Sequence, residues 1–390
     1  MIKMLAWFLI LLPIGLFVYS YFLYPALLWL FGRFRRAPKQ WNDPGEWPHI
    51  SISLPAYNEE NSIRRTLDSL LALDYPAERR QILVTSDAST DRTDEIVREY
   101  ADRGVELLRL PERSGKTAAE NASAPYLTGE VVINTDATIR ILPEALKPLI
   151  RVFQDPTIGV ASGRDLSVGH ITTERNQAES GYVGYEMTVR ALETRLGGIV
   201  GASGCYYAIR RHLHVSLFPG ALSRDFASAL ISREHGLRAV SVDEAICLVP
   251  RSGEVRSEFR RKVRTMARGL ETLWYERHLM NPFRFGGFAL KLISHKLARW
   301  LVFLTAPGIL FGLAMLAPRS HLAQWFLLLA GVGTILGAAA MHQADRRPLP
   351  RPITVCAFVF AANLAGLLAW SKALRGERNP IWEPTRRPAQ

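Results

Sequence analysis

The stretch 50-ISISLPAYNEE-60 holds the first clear secondary-structure signal in the polar part of the chain. Its apolar residues Ile50, Ile52 and Leu54 stop at Pro55 and Asn58, which is typical of a buried strand that ends in a loop. Further strands are predicted in QILVTSDAS (81–89), VELLRL (105–110) and EVVINTDAT (130–138), and helices in NSIRRTLDSLLAL (61–73) and DRTDEIVREYADRG (91–104). This alternation predicts an α/β domain with a mostly parallel sheet.

Polar residues follow each of these strands or the loop after it. They are Asn58 and Glu59, Asp87, Lys116 and Asp136. Each alone is as well explained as a turn or cap residue. The carboxyl ends of parallel strands meet at one sheet edge, however, so together they predict one ligand cleft.

The glycine pattern limits what that cleft can bind. No GxGxxG follows the first strand, and SGK at 114–116 lacks the spacing of a P-loop. A nucleotide would therefore be held by side chains and a metal ion. Asp136 offers an oxygen ligand that suits Mg²⁺ or Mn²⁺.

The apolar segments predict membrane spans at both ends of the chain. Residues 4–31 contain no charged residue, and three more apolar stretches cover approximately 300–317, 322–341 and 353–370. No signal-peptide cleavage pattern precedes the basic run at Arg33, Arg35, Arg36 and Lys39, and that run predicts a cytoplasmic location for the polar domain after it. Buried helices of a soluble core are the alternative.

The overall composition averages these two parts. The 390 residues are 48% hydrophobic with a mean hydropathy of +0.04, and 48 Lys and Arg oppose 36 Asp and Glu for a net charge of +12. Twelve basic and four acidic residues lie between 251 and 299, where anionic lipid or diphosphate is the expected partner. Nucleic acid is not expected, because no aromatic platform or recognition helix accompanies the charge. Three separated cysteines indicate neither a disulfide framework nor a cysteine zinc site.

Several motifs occur in a known order. They are LPAYNEE (54–60), SDASTDRT (86–93), SGKTAAEN (114–121), NTDAT (134–138), GASGCYYAIRR (201–211), LSRDFASAL (222–230), RRKVRTMARG (260–269), SHKLARW (294–300) and WEPTRR (382–387). In this order and spacing they resemble the membrane-bound family 2 glycosyltransferases, which include cellulose, chitin and hyaluronan synthases.

The resemblance implies a GT-A domain that binds a nucleoside diphosphate sugar, with a UDP-sugar as the favoured donor. It assigns the donor site to Pro55, Tyr57, Glu59, Asp87, Lys116, Asp136, Arg261 and Arg264. Asp136 is the first acid of a DxD metal motif, with Thr138 as a second metal contact, and Asp225 matches the general base. An amphipathic helix on anionic lipid is the alternative for residues 260–268.

This sequence departs from the family pattern at three places. The DxD motif is Asp136-Ala137-Thr138, the acid before the base is replaced by Arg224, and the QxxRW signature is reduced to Arg264 within 261–265. The missing tryptophan is the platform on which processive synthases hold the acceptor sugar. We therefore expect transfer of one or a few sugars to a lipid-linked or membrane-embedded acceptor.

Two other functions stay open from the sequence. One is a processive exopolysaccharide synthase coupled to secretion. In that case a pore for the polymer would have to be lined by the few helices of one chain or by the helices of several associated chains. The other is a catalytically inactive, membrane-anchored assembly subunit, suggested by the missing second acid and Arg224. The expected enzyme is an inverting hexosyltransferase, multi-pass in the inner membrane, with its catalytic domain in the cytoplasm.

The predicted organisation has five parts: an N-terminal span (1–33), a GT-A domain (48–250), basic amphipathic or interfacial helices (251–300), C-terminal spans (301–371) and a basic tail (372–390). Four spans would put the tail outside, against the preference of its five basic residues between 372 and 387. On the interfacial stretch 286–300, His295 is expected at headgroup level.

Overall fold

The computed structural model describes residues 2–35, 41–168, 174–215, 218–250, 255–343 and 350–377. The WEPTRR motif and most of the basic tail lie outside these ranges, as do Arg36 and Lys39. The eight strands are β1 (Ile50–Ala56), β2 (Arg80–Ser86), β3 (Val105–Arg109), β4 (Val131–Thr135), β5 (Arg140–Ile141), β6 (Ile158–Val168), β7 (Tyr206–Arg210) and β8 (Arg238–Pro250).

The helices alternate with these strands in the first half of the chain and dominate both ends. They are α1 (Ile2–Val18), α2 (Tyr24–Gly32), α3 (Ile63–Leu71), α4 (Thr93–Arg98), α5 (Lys116–Ser123), α6 (Leu146–Arg151), α7 (Glu174–Arg195), α8 (Arg211–His214), α9 (Arg224–Glu234), α10 (Val255–Tyr275), α11 (Pro282–Phe285), α12 (Gly287–Leu292), α13 (Ala298–Leu316), α14 (His321–Gln343) and α15 (Arg351–Arg375).

All eight strands form one sheet in the order β3-β2-β1-β4-β7-β6-β8-β5. Strands β3, β2, β1 and β4 are parallel, which confirms the α/β prediction for this half. The sheet is mixed rather than purely parallel, because β7 runs antiparallel to both β4 and β6, and β5 antiparallel to β8. The carboxyl ends of β1, β2 and β4 therefore share one edge with the start of β7.

Both faces of the sheet are covered by helices. On one face, apolar residues of α3, α4 and α6 belong to one buried cluster with β1 and β4, in which Ile52, Leu54 and Ile133 are fully buried. On the other, α8 and α9 pack on Val132 and Tyr207. Strands buried on both faces are mostly apolar, and in β1 the buried polar exceptions are the small residues Ser51 and Ser53.

Four helical segments are long and apolar enough to span a membrane: Ile2–Gly32, Gly287–Arg319, His321–His342 and Pro352–Arg375. This matches the predicted arrangement of one N-terminal and three C-terminal spans. Within the second of them, residues 287–300 continue directly into the apolar helix, so the expected interfacial stretch and the span form one helical segment. Helix α10 reaches α15, where the Lys262 ammonium lies 4.9 Å from the centre of the Phe358 ring.

His295 lies in a buried polar cluster, so its expected position at headgroup level was wrong. Its Nδ1 is 2.8 Å from Glu193 Oε1 and its Nε2 is 3.0 Å from Glu186 Oε1, and its side chain is 1% exposed. Both ring nitrogens face carboxylates, and only the imidazolium form can donate from both. Burial favours neutral Glu186, but His295 and Lys296 outweigh it and hold the pKa of this carboxyl well below its usual range.

The cluster joins three parts of the chain. Tyr24 of the first span donates to Glu193 over 2.5 Å, and Arg299 donates to Glu186 over 2.8 Å. The first and second apolar segments each contain a short π-helix, at Tyr19–Leu23 and at Ile293–Leu297. Tyr19 Oη and Ser294 Oγ, one from each π-helix, are 2.6 Å apart. The periodicity of 286–300 indicated an amphipathic helix. It did not indicate that carboxylates of α7, about a hundred residues earlier, pair with the basic side chains of this helix.

We expect His295→Ala to destabilise the protein by about 3 kcal/mol or more, because it leaves two buried carboxylates without their shared cation. Thermal unfolding in one detergent measures the change. His321→Ala is the matched control, since His321 is exposed at the start of α14 and contacts Gln324 of the same helix. Equal melting temperatures for the two variants would contradict a stabilising role for the cluster.

Candidate active site

A cleft opens where β1, β2 and β4 end and α5 begins. It is lined by Pro55, Ala56, Tyr57, Asp87, Lys116, Asp136 and Ala137. The residues at the ends of β1, β2 and β4 and at the start of α5 thus come together, as the sequence predicts for a parallel sheet. One wall is the Tyr57 ring, with the Arg113 guanidinium 3.9 Å from its centre.

Asp87 holds the loop that precedes α5. Its Oδ1 and Oδ2 accept hydrogen bonds from the backbone N–H groups of Ser114 and Gly115, at 2.7 and 2.8 Å. Gly115 has a φ of 92°, a backbone conformation that side chains with a Cβ rarely adopt. This arrangement fixes the start of α5 and directs Lys116 into the cleft.

Lys116 lies at the centre of the charged groups. Its Nζ donates to Asp136 Oδ1 over 2.5 Å and to the Gly204 carbonyl over 3.2 Å, and it is 4.0 Å from Glu120 Oε1. Burial favours the neutral amine, but the carboxylates of Asp136 and Glu120 outweigh it and raise the pKa of Lys116. The side chain is therefore an ammonium ion throughout the physiological range.

Asp225 approaches this group from helix α9. It stands in the first turn of α9, and Ser223 Oγ donates to its Oδ1 over 2.6 Å. A Cβ added at Gly204 would lie 3.2 Å from Asp225 Oδ2, so glycine lets the carboxylate approach the loop that Lys116 contacts. Asp225 and Lys116 thus both lie close to Gly204.

The charges around Lys116 suit a divalent cation. Three carboxylates, those of Asp136, Glu120 and Asp225, interact with this one ammonium. Glu120 Oε2 is buried without a hydrogen-bond partner among the described residues, and burial raises the pKa of this carboxyl. Arg224 and Arg268 also interact with these carboxylates, and a divalent cation in the cleft would use carboxylate and hydroxyl oxygens, which are its usual ligands. Asp136 and Thr138 fit that role.

Three predicted donor-site residues do not line the cleft. Glu59 is buried and accepts a 2.6 Å hydrogen bond from Ser62 at the start of α3. Arg261 and Arg264 are half-buried on α10. Their roles in donor binding stay predictions.

Arg268 was missed, although it belongs to the same basic segment. Its guanidinium donates to Thr117 Oγ1 over 2.8 Å and to the Leu222 carbonyl over 2.6 Å. Those two residues are next to Lys116 and close to Asp225, so Arg268 fixes both segments relative to each other. Its four-residue spacing from Arg264 places both on one face of α10 and is the signal that could have identified it.

Arg224, which replaces the family's acid, is directed away from the cleft. It is 4% exposed and hydrogen-bonds the Asn121 side chain and the His214 carbonyl. Burial and Arg224 lower the pKa of His214 well below its usual range, which keeps that ring neutral. Arg224 therefore connects α9, α8 and α5.

The fold and the cleft define a class of protein: an α/β domain with a charged cleft at the carboxyl ends of its parallel strands, joined to four helices able to span a membrane. Residues 51–218 match the model of the family described as Glycosyl transferase family 2. This segment of the chain therefore carries a family 2 glycosyltransferase domain.

Curated relatives match the chain over part of its length. It is 26% identical over 219 residues to an N-acetylglucosaminyltransferase of Rhizobium sp. (strain N33), which covers 52% of this chain and 48% of the relative. It is 27% identical over 172 residues to a beta-monoglucosyldiacylglycerol synthase of Nostoc sp. (strain PCC 7120), covering 43% and 36%. The matched segments thus span less than half the length of these relatives.

One solved structure is similar over almost the whole chain. The mannosyltransferase PcManGT from Pyrobaculum calidifontis, solved with GDP-Man and Mn²⁺, superimposes with a TM-score of 0.71 at 22% identity, covering 97% of this chain and 100% of its own. At this identity the likeness concerns the fold, and it supports the predicted GT-A domain with attached helices.

Proposed function

We propose that this chain transfers a sugar, with inversion at the anomeric carbon, from a nucleoside diphosphate sugar to a membrane-associated acceptor. The observation that carries the proposal is the arrangement around Gly204, which both Asp225 and the Lys116–Asp136 pair approach. A proton acceptor and a cation close to one loop are what such a transfer needs.

In the proposed reaction the acceptor hydroxyl oxygen attacks the anomeric carbon from the face opposite the diphosphate. The new glycosidic bond forms as the bond to the diphosphate oxygen breaks, and that oxygen keeps the electron pair. Asp225 takes the hydroxyl proton, while Ser223 holds its other oxygen in place. The Lys116 ammonium stabilises the negative charge that develops on the leaving diphosphate.

Asp136, with Thr138, would hold a divalent cation, Mg²⁺ or Mn²⁺, which when bound would neutralise charge on the diphosphate. A UDP-sugar is the proposed donor. Each Asp87 oxygen already accepts one backbone N–H and has a second lone pair, with which it can accept the imide N–H of uracil.

A membrane-associated acceptor is supported by the way the cleft connects to the apolar helices. Arg268 of α10 fixes the segments that carry Lys116 and Asp225, and the same helix packs on α15. The names of the relatives include a glycolipid synthase.

Position 265 holds threonine where the processive family members have tryptophan, so we propose transfer of one or a few sugars. The basic residues Arg33 and Arg35 after the first span support a cytoplasmic catalytic domain.

A screen of nucleotide sugars tests the proposal directly. Full-length protein in detergent with Mg²⁺ or Mn²⁺ should release nucleoside diphosphate from one UDP-sugar in the presence of membrane lipid, and EDTA should suppress the release. Nucleotide binding without turnover across UDP- and GDP-sugars would instead support the inactive assembly subunit.

Product length separates the two enzymatic functions. We expect a glycolipid that carries one or a few sugars, because the sugar-stacking platform is absent from 261–265. Mass spectrometry of lipid extracts after single-donor reactions measures this. A long ladder of glycans from one donor would reject our proposal in favour of a processive synthase.

A further inference from the structure

Three potential metal ligands converge at the other end of α9, away from the cleft. Glu234 is the last residue of α9, and Glu276 and His278 follow the end of α10. One ligand atom from each lies within 4.8 Å of the other two. Specifically, His278 Nε2 is 2.7 Å from Glu234 Oε1, and His278 Nδ1 is 3.8 Å from Glu276 Oε2.

The two carboxylates face each other at a partly exposed site, in which Glu276 is the buried member. Glu276 is 4% exposed and lies at hydrogen-bonding distance from the Glu234 carboxylate. Two carboxylates in such an environment repel unless a proton or a cation lies between them.

We propose that Glu234, Glu276 and His278 bind a divalent transition-metal ion, with Zn²⁺ the best match to their donors. One imidazole nitrogen and two carboxylate oxygens are ligands that zinc uses in proteins, and water would complete the coordination. The side chains of His278 and Glu234 are 43% and 31% exposed, which gives an ion access from solvent.

The ion would connect the α/β domain to the membrane helices. Helix α9 carries Asp225 in its first turn and Glu234 at its end, while His278 lies just before the span Gly287–Arg319. The His278 ring packs edge-on against Phe285 at 5.9 Å, which restricts its orientation. A metal ion that binds only the folded chain stabilises it by mass action, so zinc should hold this junction together.

Zinc alone is the probe, and the full-length chain carrying Asp136→Asn is the parent, so that the cleft's candidate metal ligand is removed. We expect one Zn²⁺ per chain by equilibrium dialysis and a rise in melting temperature with added zinc. His278→Ala and Glu276→Gln should each weaken binding at least about tenfold and lose the thermal shift. His235→Ala is the matched control, because His235 is an exposed histidine at the end of α9, directly after Glu234.

Glu234→Gln is a second variant that should weaken zinc binding, and it changes a partly exposed residue, so loss of the fold is not expected. The absorption spectrum of bound Co²⁺ reports a histidine ligand independently. Unchanged zinc affinity in His278→Ala would overturn the proposal. So would a parent that binds no zinc, in which case Glu234 and Glu276 share a proton. The three ligands are absent from the cleft, so either result leaves the proposed transferase function standing.

Discussion

Asp225→Asn should lower the turnover of nucleotide sugar by about 10²- to 10⁴-fold, the usual contribution of a positioned general base. The amide keeps the size of the side chain and can still accept the hydrogen bond from Ser223 Oγ, so the fold and the Gly204 contact should persist. It cannot take the acceptor proton. Released nucleoside diphosphate measures the rate, and calorimetric titration with UDP should give an unchanged affinity.

Two further variants show whether the effect belongs to this carboxylate. Ser223→Ala should reduce the rate by a smaller factor, because it removes only the group that orients Asp225. Asp243→Asn changes an exposed acid on β8 and should leave the rate unchanged. Undiminished turnover in Asp225→Asn would falsify the assignment of the base and leave the family match of residues 51–218 intact.

Lys116→Met should reduce turnover by about 10²- to 10³-fold, which is the usual cost of removing one group that stabilises charge in a transition state. Methionine fills a similar volume but leaves Asp136 and Glu120 without the ammonium between them. Donor affinity should fall as well, since the diphosphate would then approach three carboxylates. Rates per folded molecule and UDP affinity measure both effects.

Lys147→Met is the matched control, because Lys147 pairs with the exposed Asp74 over 2.6 Å on the domain surface. It should change neither the rate nor UDP affinity. A Lys116→Met enzyme that turns over normally would show that the diphosphate is stabilised elsewhere, and the half-buried Arg261 and Arg264 would be tested next.

The catalytically inactive alternative loses one of its two supports. Arg224 is directed into contacts with Asn121 and His214, so its presence beside Asp225 does not prevent that carboxylate from approaching Gly204. The other support, Thr138 in place of the second acid of the DxD motif, concerns metal ligation. The proposed general base does not depend on it.

Local sequence was enough for the parallel half of the domain. Strands β1, β2 and β4 are apolar because both of their faces are buried, so they were visible as short apolar runs with polar residues at their ends. The parallel arrangement then brings Asp87 and Asp136 to one edge. Apolar length likewise predicted the four membrane-spanning helices.

The sequence did not predict the antiparallel direction of β7, because that direction is set by the pairing of β7 with β4 and β6. Its pairing with β4 brings the loop at Gly204 against Lys116. The role of Asp225 as general base was predicted from the family resemblance. The role of Arg268 was predicted neither from local sequence nor from the resemblance, since its partners Thr117 and Leu222 are far from it in sequence.

The sequence by itself determined the order of strands and helices in the parallel half of the domain, the edge at which polar residues gather and the number of apolar spans, because each depends on periodicity or length within one segment. Tertiary structure alone decided which charges meet. His295 between Glu186 and Glu193, and Glu276 beside Glu234, join residues from separate helices. The physical reason is that a buried charge is stabilised by whatever faces it in space, and folding brings those partners from distant parts of the chain.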